Sequence, residues 1–359
     1  MKILIAAGGT GGHITPGIAI ANMLRDRGDN VKFVGTETGM EKDLVPKAGY
    51  DLEYIHAEGL HRGLSLKNIK TLMTLKKGVE DCLKIIDTEK PDIVIGTGGY
   101  VTAPLMIAGI KRKIPTMIHE SNALPGKTTI WLSKKVDVIA LGFEDAKKRV
   151  PNAKCAVFTG NPTKMDDSLN KDEMKKKLGL EGKSVLIFGG SQGARKINDT
   201  IIDMINEDKD LSYKVIYATG PKNYDEVISK INVENSRFKV EKYIYNMPEV
   251  MAASDLVVCR SGALTVTEIS VLGVPSIMIP FPYAAENHQY YNAKTIEDAG
   301  AGIIIEEKDL TKDVLENKIE SIINDDKKLM EMSINAKKVE DNKAIERIEK
   351  EIDKLVVKN

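Results

Sequence analysis

Cysteine is scarce in this chain of 359 residues, which has only Cys82, Cys155 and Cys259, far apart in the sequence. This number and spacing support neither a disulfide framework nor a metal site, and they favour a reducing cytoplasm. Long apolar runs are lacking too. The run that begins at Ile3 stops after five residues, before Gly8, which is too short for a signal peptide. No stretch approaches the roughly 18 apolar residues of a membrane-spanning helix, so we expect a cytoplasmic chain that does not cross the membrane.

The chain also lacks an excess of charge of either sign. Its 52 Lys and Arg balance 52 Asp and Glu, so no overall field attracts nucleic acid. The charge is nevertheless uneven, because residues 1–160 hold 23 basic and 17 acidic residues, a net charge of +6, and the remainder is net −6. We therefore expect an anionic partner to prefer the first half. The length predicts two domains.

Short apolar segments alternate with longer amphipathic ones along the whole chain, which predicts parallel, doubly wound sheets. The predicted strands cover residues 3–7, 31–34, 92–95, 116–119, 136–141, 184–188, 214–218, 238–241, 256–259, 276–279 and 302–305. The predicted helices include residues 14–26, 65–88, 194–206, 263–272 and 309–323.

The two halves of the chain begin alike, each with a buried strand, a glycine turn and a helix. We interpret this as one Rossmann-like unit used twice, so the predicted fold class is α/β, with two doubly wound parallel-sheet domains. We expect the domains to face each other across a cleft at the carboxyl ends of their strands. The predicted N-terminal domain covers 1–162 and the C-terminal domain 163–338. A charged helix over 339–359 follows, which could pack back on the N-terminal domain.

The first glycine turn, Gly-Gly-Thr-Gly-Gly-His over residues 8–13, follows a strand and opens a helix. Glycine lets the backbone approach a ligand, and a helix N-terminus offers free N–H groups to a phosphate. The spacing excludes a P-loop, and it departs from the dinucleotide fingerprint because Ile14 stands where the third glycine belongs. Glu37 could imitate the ribose-binding acid of that fingerprint. A tight turn without a ligand and an NAD-dependent oxidoreductase stay open as alternatives.

Two further glycine turns cover residues 96–100 and 189–195, and three such turns suit a diphosphate flanked by two large groups. In a fourth segment, a strand ends at Cys259 and small residues open a helix, so the N–H groups of Gly262 to Thr265 can bind phosphate. Glu268 lies about one turn further in, where it could accept both hydroxyls of a ribose. The alternative for Glu268 is an ordinary acid favoured by the helix dipole.

This fourth segment and the residues after it closely resemble the MurG family, the bacterial transferases that add N-acetylglucosamine to lipid I. The matching motifs occur in family order over nearly the whole chain, at residues 8–16, 96–101, 119–122, 159–162, 189–195, 263–268, 273–275, 280–281 and 288–293. The resemblance implies a two-domain glycosyltransferase of the B type that inverts the sugar linkage and needs neither a cofactor nor a bound metal. The sequence has one Asp-x-Asp, at 208–210, which we interpret as a solvated loop.

The resemblance also implies roles for residues of the second domain, which binds the UDP-N-acetylglucosamine donor in the family. Ser191 would contact the diphosphate, the backbone of Ile244 would hold the uracil edge, and Glu268 would take the ribose hydroxyls. The other implied donor-binding residues are Ala263, Leu264 and Thr265 at the phosphates, Gln289 and Asn122 at the sugar, and Thr10, Gly11 and Gly12, which also face the acceptor diphosphate. The chain departs from the family pattern twice. Many relatives have an arginine shortly after the turn 160–162, where this chain has Lys164, and His288 replaces a glutamine that some relatives have.

The implied chemistry is a single in-line displacement at the sugar by the C4 hydroxyl of the muramoyl unit. His13 is the candidate base because imidazole titrates near working pH, and Glu120 is the rival. The alternative for His13 is a residue that only positions the loop or a phosphate. The departing UDP would be stabilised by the helix N-termini at Ser191 and Ala263 and by Gly190, helped by Arg260 or Lys164, in place of a metal.

Because the acceptor of the family is a membrane lipid, we also searched for a membrane-binding segment, and residues 64–86 are the candidate. The expected contacts are Lys67, Lys70, Leu72, Leu75 and Lys77. Each lysine near an anionic lipid would contribute on the order of 1 kcal/mol. A buried helix with a solvated lysine face is the alternative.

We therefore expect an enzyme on the cytoplasmic face of the cell membrane that makes lipid II for peptidoglycan synthesis, and hence for cell shape and division. The expected partners are UDP-N-acetylglucosamine, a polyprenyl-diphosphate-linked muramoyl peptide (lipid I) and the anionic inner face of the membrane, with no nucleic acid. The alternatives are a related UDP-sugar enzyme, such as a UDP-N-acetylglucosamine 2-epimerase or a glycolipid glucosyltransferase, and a non-catalytic sensor of UDP-sugars.

Overall fold

The computed structural model of the protein describes residues 1–59 and 67–357, and the side chains of all of these except 67–70. The chain forms two compact units. The first comprises Met1–Lys164 and Lys343–Asn359, and the second comprises Met165–Asn342.

The first unit contains a seven-stranded sheet in the order β3-β2-β1-β4-β5-β6-β7, in which every pairing is parallel. Its strands are β1 (Lys2–Ala6), β2 (Asn30–Gly35), β3 (Leu52–Tyr54), β4 (Ile93–Gly96), β5 (Thr116–Glu120), β6 (Val138–Leu141) and β7 (Ala156–Phe158). Its helices are α1 (Gly11–Asp26), α2 (Glu41–Lys47), α3 (Lys67–Glu89), α4 (Thr102–Arg112), α5 (Lys127–Leu132) and, from the end of the chain, α14 (Ala344–Val357), with a 3-10 helix at Glu144–Arg149. The central strands are apolar on both faces because helices cover both sides of a parallel sheet.

The second unit contains a six-stranded parallel sheet in the order β10-β9-β8-β11-β12-β13. Its strands are β8 (Lys183–Phe188), β9 (Tyr213–Ala218), β10 (Phe238–Glu241), β11 (Leu256–Cys259), β12 (Ser276–Met278) and β13 (Gly302–Ile304). Its helices are α6 (Lys171–Leu178), α7 (Arg195–Asn206), α8 (Tyr224–Lys230), α9 (Met247–Ala253), α10 (Ala263–Leu272), α11 (His288–Asp298), α12 (Lys312–Ile323) and α13 (Asp326–Val339), with 3-10 helices at Ala285–Asn287 and Glu307–Asp309.

Strand order reverses once in each sheet, between β1 and β4 in the first unit and between β8 and β11 in the second. At such a switch point the connections leave in opposite directions, and a crevice opens outside the carboxyl ends of the two strands. The glycine turns after β1 and β4 flank one switch point, and the turns after β8 and β11 flank the other. The fold therefore brings the predicted phosphate-binding segments together in pairs.

The predicted fold class is confirmed, and the eleven predicted strands are all present with small shifts of their ends. Two edge strands, β3 and β7, escaped prediction because each has only three residues, none of them fully buried. Helix α1 begins three residues earlier than predicted, since Gly11 and Gly12 already belong to it.

Helix α14 returns to the first unit and packs on α1. Ile348 and Ile352 are fully buried in the core that also contains β1 and β2. Arg27 at the end of α1 pairs with Asp29 at 2.6 Å and with Asp353 of α14 at 2.7 Å. The predicted C-terminal helix thus supplies part of the core of the first unit.

None of the helices described is both long enough and apolar enough to span a membrane.

Candidate active site

The two glycine turns of the first unit are packed directly on each other. Gly98 and Gly99 have φ values of +111° and +78°, which favour glycine. A Cβ on Gly99 would collide with the Gly8 carbonyl, and one on Gly98 would collide with the His13 ring. The Thr97 hydroxyl also donates to the His13 carbonyl oxygen at 2.8 Å. The turn after β4 therefore fixes the position of His13 at the start of α1.

The N-terminus of α1 has backbone N–H groups that no side chain caps. Thr10 precedes the helix with extended backbone and an exposed side chain, which makes no capping hydrogen bond. Gly11 and Gly12 form the start of the helix, where N–H groups have no acceptor within the helix. A Cβ on Gly11 would meet nothing within 4 Å. This arrangement suits an anion such as a phosphate.

Glu120 at the end of β5 organises the loop that follows it. Its Oε1 accepts from the backbone N–H of Asn122 at 3.1 Å and from the Asn122 amide at 3.3 Å. Its Oε2 accepts from the Gly126 N–H at 3.0 Å and from the Thr129 hydroxyl at 2.6 Å. These four donors occupy both oxygens of the carboxylate. This geometry argues against Glu120 as the base, and it gives Glu120 the role of orienting Asn122.

His119, next to Glu120, is fully buried, and burial lowers its pKa. The ring is therefore neutral at pH 7, and its Nε2 donates to the Gly160 carbonyl oxygen at 3.2 Å. The Asn161 amide donates to the Ser121 carbonyl oxygen at 3.1 Å. These bonds join the segment 119–122 to the turn 160–162, so both motifs support the loop that carries Asn122. Lys164, just beyond the turn, is exposed.

In the second unit, the turn after β8 leaves Ser191 exposed. Gly190 has a φ of +88°, and a Cβ placed on it would meet nothing within 4 Å. Gly193 has no such room, because a Cβ there would collide with the Thr219 carbonyl. The Asn223 amide donates to the Gln192 carbonyl oxygen at 3.0 Å and thereby helps to fix the turn. Ser191 and Gly190 are thus held with their outer side open.

The N-terminus of α10 lies at the other side of the switch point of the second unit. Gly262 precedes the helix with extended backbone and no side-chain cap, so the N–H groups of the first turn have no acceptor within the helix. The buried Ser261 donates to the Gln289 carbonyl oxygen at 2.8 Å, and the Asn292 amide donates to the Ser261 carbonyl oxygen at 3.2 Å. These bonds tie the start of α10, with Ala263, Leu264 and Thr265, to the start of α11.

Glu268 has neither a hydrogen-bond partner nor an ion-pair partner among the residues that the structure describes. Burial raises its pKa to about 7. The residue is only partly exposed, and no described donor compensates the carboxylate for its burial, which makes it a candidate for a ligand contact. Two hydroxyl donors from a ligand would satisfy it, as the predicted ribose contact requires.

Gln289 and His288 stand at the start of α11, after a strained connection. Glu286 and Asn287 both have left-handed backbone, with φ values of +54° and +59°. The side-chain Oε1 of Gln289 accepts from the Phe281 N–H at 2.9 Å, which leaves its NH2 group as a donor. The His288 Nδ1 lies 2.8 Å from the Ala285 carbonyl oxygen and donates to it. The ring is therefore held in place through Nδ1, and its Nε2 takes no part in this bond.

Arg260 was predicted to stabilise the leaving group, and its contacts argue against that role. Its Nη1 donates to the carbonyl oxygens of Ile279 and Pro280, both at 3.1 Å, and its Nη2 pairs with Glu307. The guanidinium also lies 5.5 Å from the centroid of the Phe281 ring. The side chain is 9% exposed and joins β11 to the segment after β12. The sequence could not show this because all four partners lie 19 or more residues away.

Two aromatic residues beside Ile244 escaped the sequence analysis. Ile244 is buried and follows β10, whereas Tyr243 and Tyr245 are 42% and 91% exposed. Their ring centroids are 4.9 Å apart in an edge-to-face arrangement. Neighbouring exposed aromatic side chains often mark a binding surface. In the sequence, the alternation Tyr-Ile-Tyr was the pattern that could have predicted them. They add aromatic surface beside the predicted uracil-binding backbone.

Within the described residues, no group of three or more His, Cys, Asp and Glu side chains could hold a metal ion. In the Asp-x-Asp segment, Asp210 is exposed and pairs with Arg237 at 2.8 Å, and Lys209 pairs with Glu316 at 2.8 Å.

Comparison with known proteins identifies relatives along the whole chain. Residues 3–141 match the glycosyltransferase family 28 N-terminal domain, and residues 184–348 match the glycosyltransferase family 28 C-terminal domain. The chain is 43% identical to a UDP-N-acetylglucosamine–N-acetylmuramyl-(pentapeptide) pyrophosphoryl-undecaprenol N-acetylglucosamine transferase of Acetivibrio thermocellus, over 100% of this chain and 99% of that protein. It is 42% identical to transferase 1 of the same name from Bacillus cereus, over 100% of both chains.

Solved structures agree. The crystal structure of Acinetobacter baumannii MurG superposes with a TM-score of 0.84 and 27% identity, over 98% of this chain and 99% of that one. The structure of Staphylococcus aureus MnaA with UDP gives a TM-score of 0.68 at 18% identity, over 98% and 96% of the two chains, which shows a shared fold alone.

We predict that Glu268→Gln stabilises the ligand-free protein in a pH-dependent way. The folded protein keeps the Glu268 proton up to about pH 7, and the unfolded chain releases it near the ordinary value of 4.5. The free energy of unfolding of the wild type therefore falls as pH rises through this interval. After allowance for the partial exposure of the side chain, we expect the variant to gain about 1–2 kcal/mol at pH 8 and little at pH 4.5.

Urea unfolding at both pH values measures this gain, and titration with UDP measures the expected loss of affinity in the same variant. Glu37→Gln, at an exposed carboxylate, is the matched control and should change neither quantity. Equal stability of Glu268→Gln and wild type at pH 8, or an unchanged affinity for UDP, would contradict the assignment.

Proposed function

Because the chain belongs to glycosyltransferase family 28, we propose that it transfers N-acetylglucosamine from UDP-N-acetylglucosamine to the C4 hydroxyl of the muramoyl unit of lipid I. The product is lipid II, the precursor for peptidoglycan synthesis. The observation that carries this proposal is the 43% identity over the full length to an enzyme named for this transfer. The paired glycine turns at both switch points support it, because the donor and the acceptor each contain a diphosphate.

The second unit supplies the donor site. The N–H groups at Ser191 and at Ala263 to Thr265 bind the diphosphate, and the Glu268 carboxylate accepts the ribose hydroxyls. The Ile244 backbone binds the uracil edge. The NH2 group of Gln289 donates to the sugar. The unsatisfied carboxylate of Glu268 and the open space at Gly190 support these roles.

The first unit supplies the base and the acceptor site. His13 accepts the proton of the C4 hydroxyl as that oxygen attacks the anomeric carbon and the bond to UDP breaks. Thr10, Gly11 and Gly12 bind the phosphates next to it. His13 is preferred to Glu120 because all four donors around the Glu120 carboxylate would be disturbed by a proton. The negative charge that develops on UDP is stabilised by the N–H groups of the second unit, and the exposed Lys164 is a further candidate for this role.

We predict that His13→Gln lowers kcat by about 10²–10⁴-fold and leaves the affinity for UDP within about twofold of wild type. Glutamine keeps hydrogen-bonding groups at this position but cannot take up a proton near pH 7. The measurement is the initial rate of transfer to a lipid I analogue, with UDP affinity from calorimetry. His56→Gln, at an exposed histidine paired with Asp81, serves as the matched control with normal turnover. A loss of only a few-fold in His13→Gln would rule out its role as the base.

We also propose that α3 binds the anionic inner face of the membrane, which places the enzyme at its lipid acceptor on the cytoplasmic side. Leu72 and Met73 are 60% and 69% exposed, and Lys76 and Lys77 are exposed on the same helix. A groove of about 250 Å³ runs beside them, between α3 and α4. Leu75 lines the groove and is partly buried. The side chains of Lys67 and Lys70 lie outside the described residues.

We predict that Leu72→Ser with Met73→Ser weakens binding to vesicles of phosphatidylglycerol and phosphatidylethanolamine by about 10-fold. The reason is the loss of two exposed apolar side chains, which together contribute about 1.5 kcal/mol when an apolar phase partly buries them. Met330→Ser with Ile334→Ser removes a similarly exposed pair from α13 and should bind like wild type. Lys77→Glu tests the electrostatic contribution to membrane binding, and this single substitution should also weaken binding to these anionic vesicles. If both sets of α3 variants co-sediment with vesicles as wild type does, α3 is not the membrane contact.

A further inference from the structure

Glu41 is a fully buried carboxylate that the mechanism above does not use. It is the first residue of α2, where an acid is ordinarily explained by the helix dipole. In the structure its side chain instead points to the carboxyl ends of β1 and β2. Its Oε2 accepts from the Gly9 N–H at 3.1 Å, and its Oε1 accepts from the N–H and the hydroxyl of Thr36 at 3.0 and 2.7 Å.

The chain makes room for this carboxylate with glycines. A Cβ on Gly39 would collide with its oxygens, one on Gly35 would lie 2.6 Å from its Cγ, and one on Gly8 would lie 3.0 Å from its Oε1. The contacts at Gly39 and Gly35 are closer than real Cβ atoms are found to another heavy atom, and the contact at Gly8 is tight. Gly39 and Gly35 thus leave no room for a side chain beside Glu41, which indicates that the space is shaped for the carboxylate.

The bond to Gly9 acts on the loop that carries the acceptor-side groups. Gly9 has a φ of +88°, a conformation that is one of several accessible to glycine, and the Glu41 carboxylate selects it by holding its N–H. The Tyr100 ring covers the other side of Gly9, and its hydroxyl lies 3.4 Å from the Thr36 hydroxyl. From Gly9 the chain passes directly to Gly11, Gly12 and His13.

We propose that Glu41 is a positioning residue for the glycine loop, defined as residues 8–12: its carboxylate fixes Gly9 and thereby orients the Gly11 and Gly12 N–H groups and the His13 ring toward the acceptor. This inference rests on the proposed function for the identity of the acceptor. It does not rest on that function for the effect of Glu41 on the loop, which is measurable without substrate. Glu41 itself touches neither substrate.

The test is Glu41→Met, which keeps an unbranched side chain of similar length and removes every acceptor for the Gly9 N–H. We expect hydrogen exchange in the segment 8–14 of the full-length protein to become at least about fivefold faster. We also expect kcat/KM for a lipid I analogue to fall about 10-fold, with a raised KM for the acceptor. The affinity for UDP should stay within about twofold, because the proposed UDP contacts lie in the second unit.

Thr36→Val is the matched control. It removes the hydroxyl that bonds to the same carboxylate and to the Gly39 N–H, but it leaves the Gly9 bond in place. We expect its exchange in 8–14 and its kcat/KM to stay within about twofold of wild type. A merely structural role for the buried carboxylate predicts that both variants lower the amount of folded enzyme, counted by UDP binding, and leave the acceptor KM unchanged. That result would overturn the proposal.

If Glu41→Met does not fold, Glu41→Gln replaces it. Its amide has one oxygen, so one N–H, of Gly9 or of Thr36, must face another donor. The proposal then requires both faster exchange in 8–14 and a loss of acceptor kcat/KM, and the absence of either change overturns it. If wild type makes no product although exchange in 8–14 responds to Glu41→Met, the proposed function has failed and the positioning role of Glu41 has not.

Discussion

Close approach of backbone to backbone at the carboxyl ends of the central strands is the constraint on which both units depend. Gly99 lies against the Gly8 carbonyl in the first unit, and Gly193 lies against the Thr219 carbonyl in the second. Neither position has space for a Cβ, so only glycine lets the turn after β4 pack on the turn after β1, and the turn after β8 pack on the segment after β9. The helices that follow begin with N–H groups that have no acceptor within the helix. The packing of these turns therefore positions the backbone N–H groups that we propose to bind phosphate.

The carboxylates around these turns serve different purposes, and their hydrogen bonds distinguish them. Glu120 accepts four hydrogen bonds and Glu41 accepts three, and among these are the bonds that join each carboxylate to the loop that it supports. Glu268 receives none from the described residues, and burial raises its pKa to about 7. A satisfied carboxylate stabilises the fold, whereas an unsatisfied one costs stability until a ligand supplies donors. This contrast is the physical reason to assign a ligand contact to Glu268 and supporting roles to the other two.

The sequence was sufficient to predict what depends on local pattern. Alternating apolar segments predicted the parallel sheets, and the glycine turns predicted where N–H groups would be exposed. It was insufficient where a role depends on long-range partners. From the sequence, Arg260 was interpreted as a cation available to the leaving group. In the structure its guanidinium instead contacts two carbonyl oxygens, a carboxylate and an aromatic ring. Glu41 reads as an ordinary first-turn acid, because nothing near it in the sequence shows that Gly9, 32 residues earlier, is its partner.

The central claim is that this chain moves N-acetylglucosamine from UDP to lipid I, with backbone N–H groups in place of a metal at the departing diphosphate. Transfer of radiolabelled N-acetylglucosamine to a short-chain lipid I analogue, followed together with UDP release in the presence and absence of EDTA, tests it most directly. The account predicts one UDP released for each labelled lipid product, at equal rates with and without the chelator. Binding of UDP-N-acetylglucosamine without labelled lipid, or a rate that EDTA abolishes and a divalent cation restores, would contradict it.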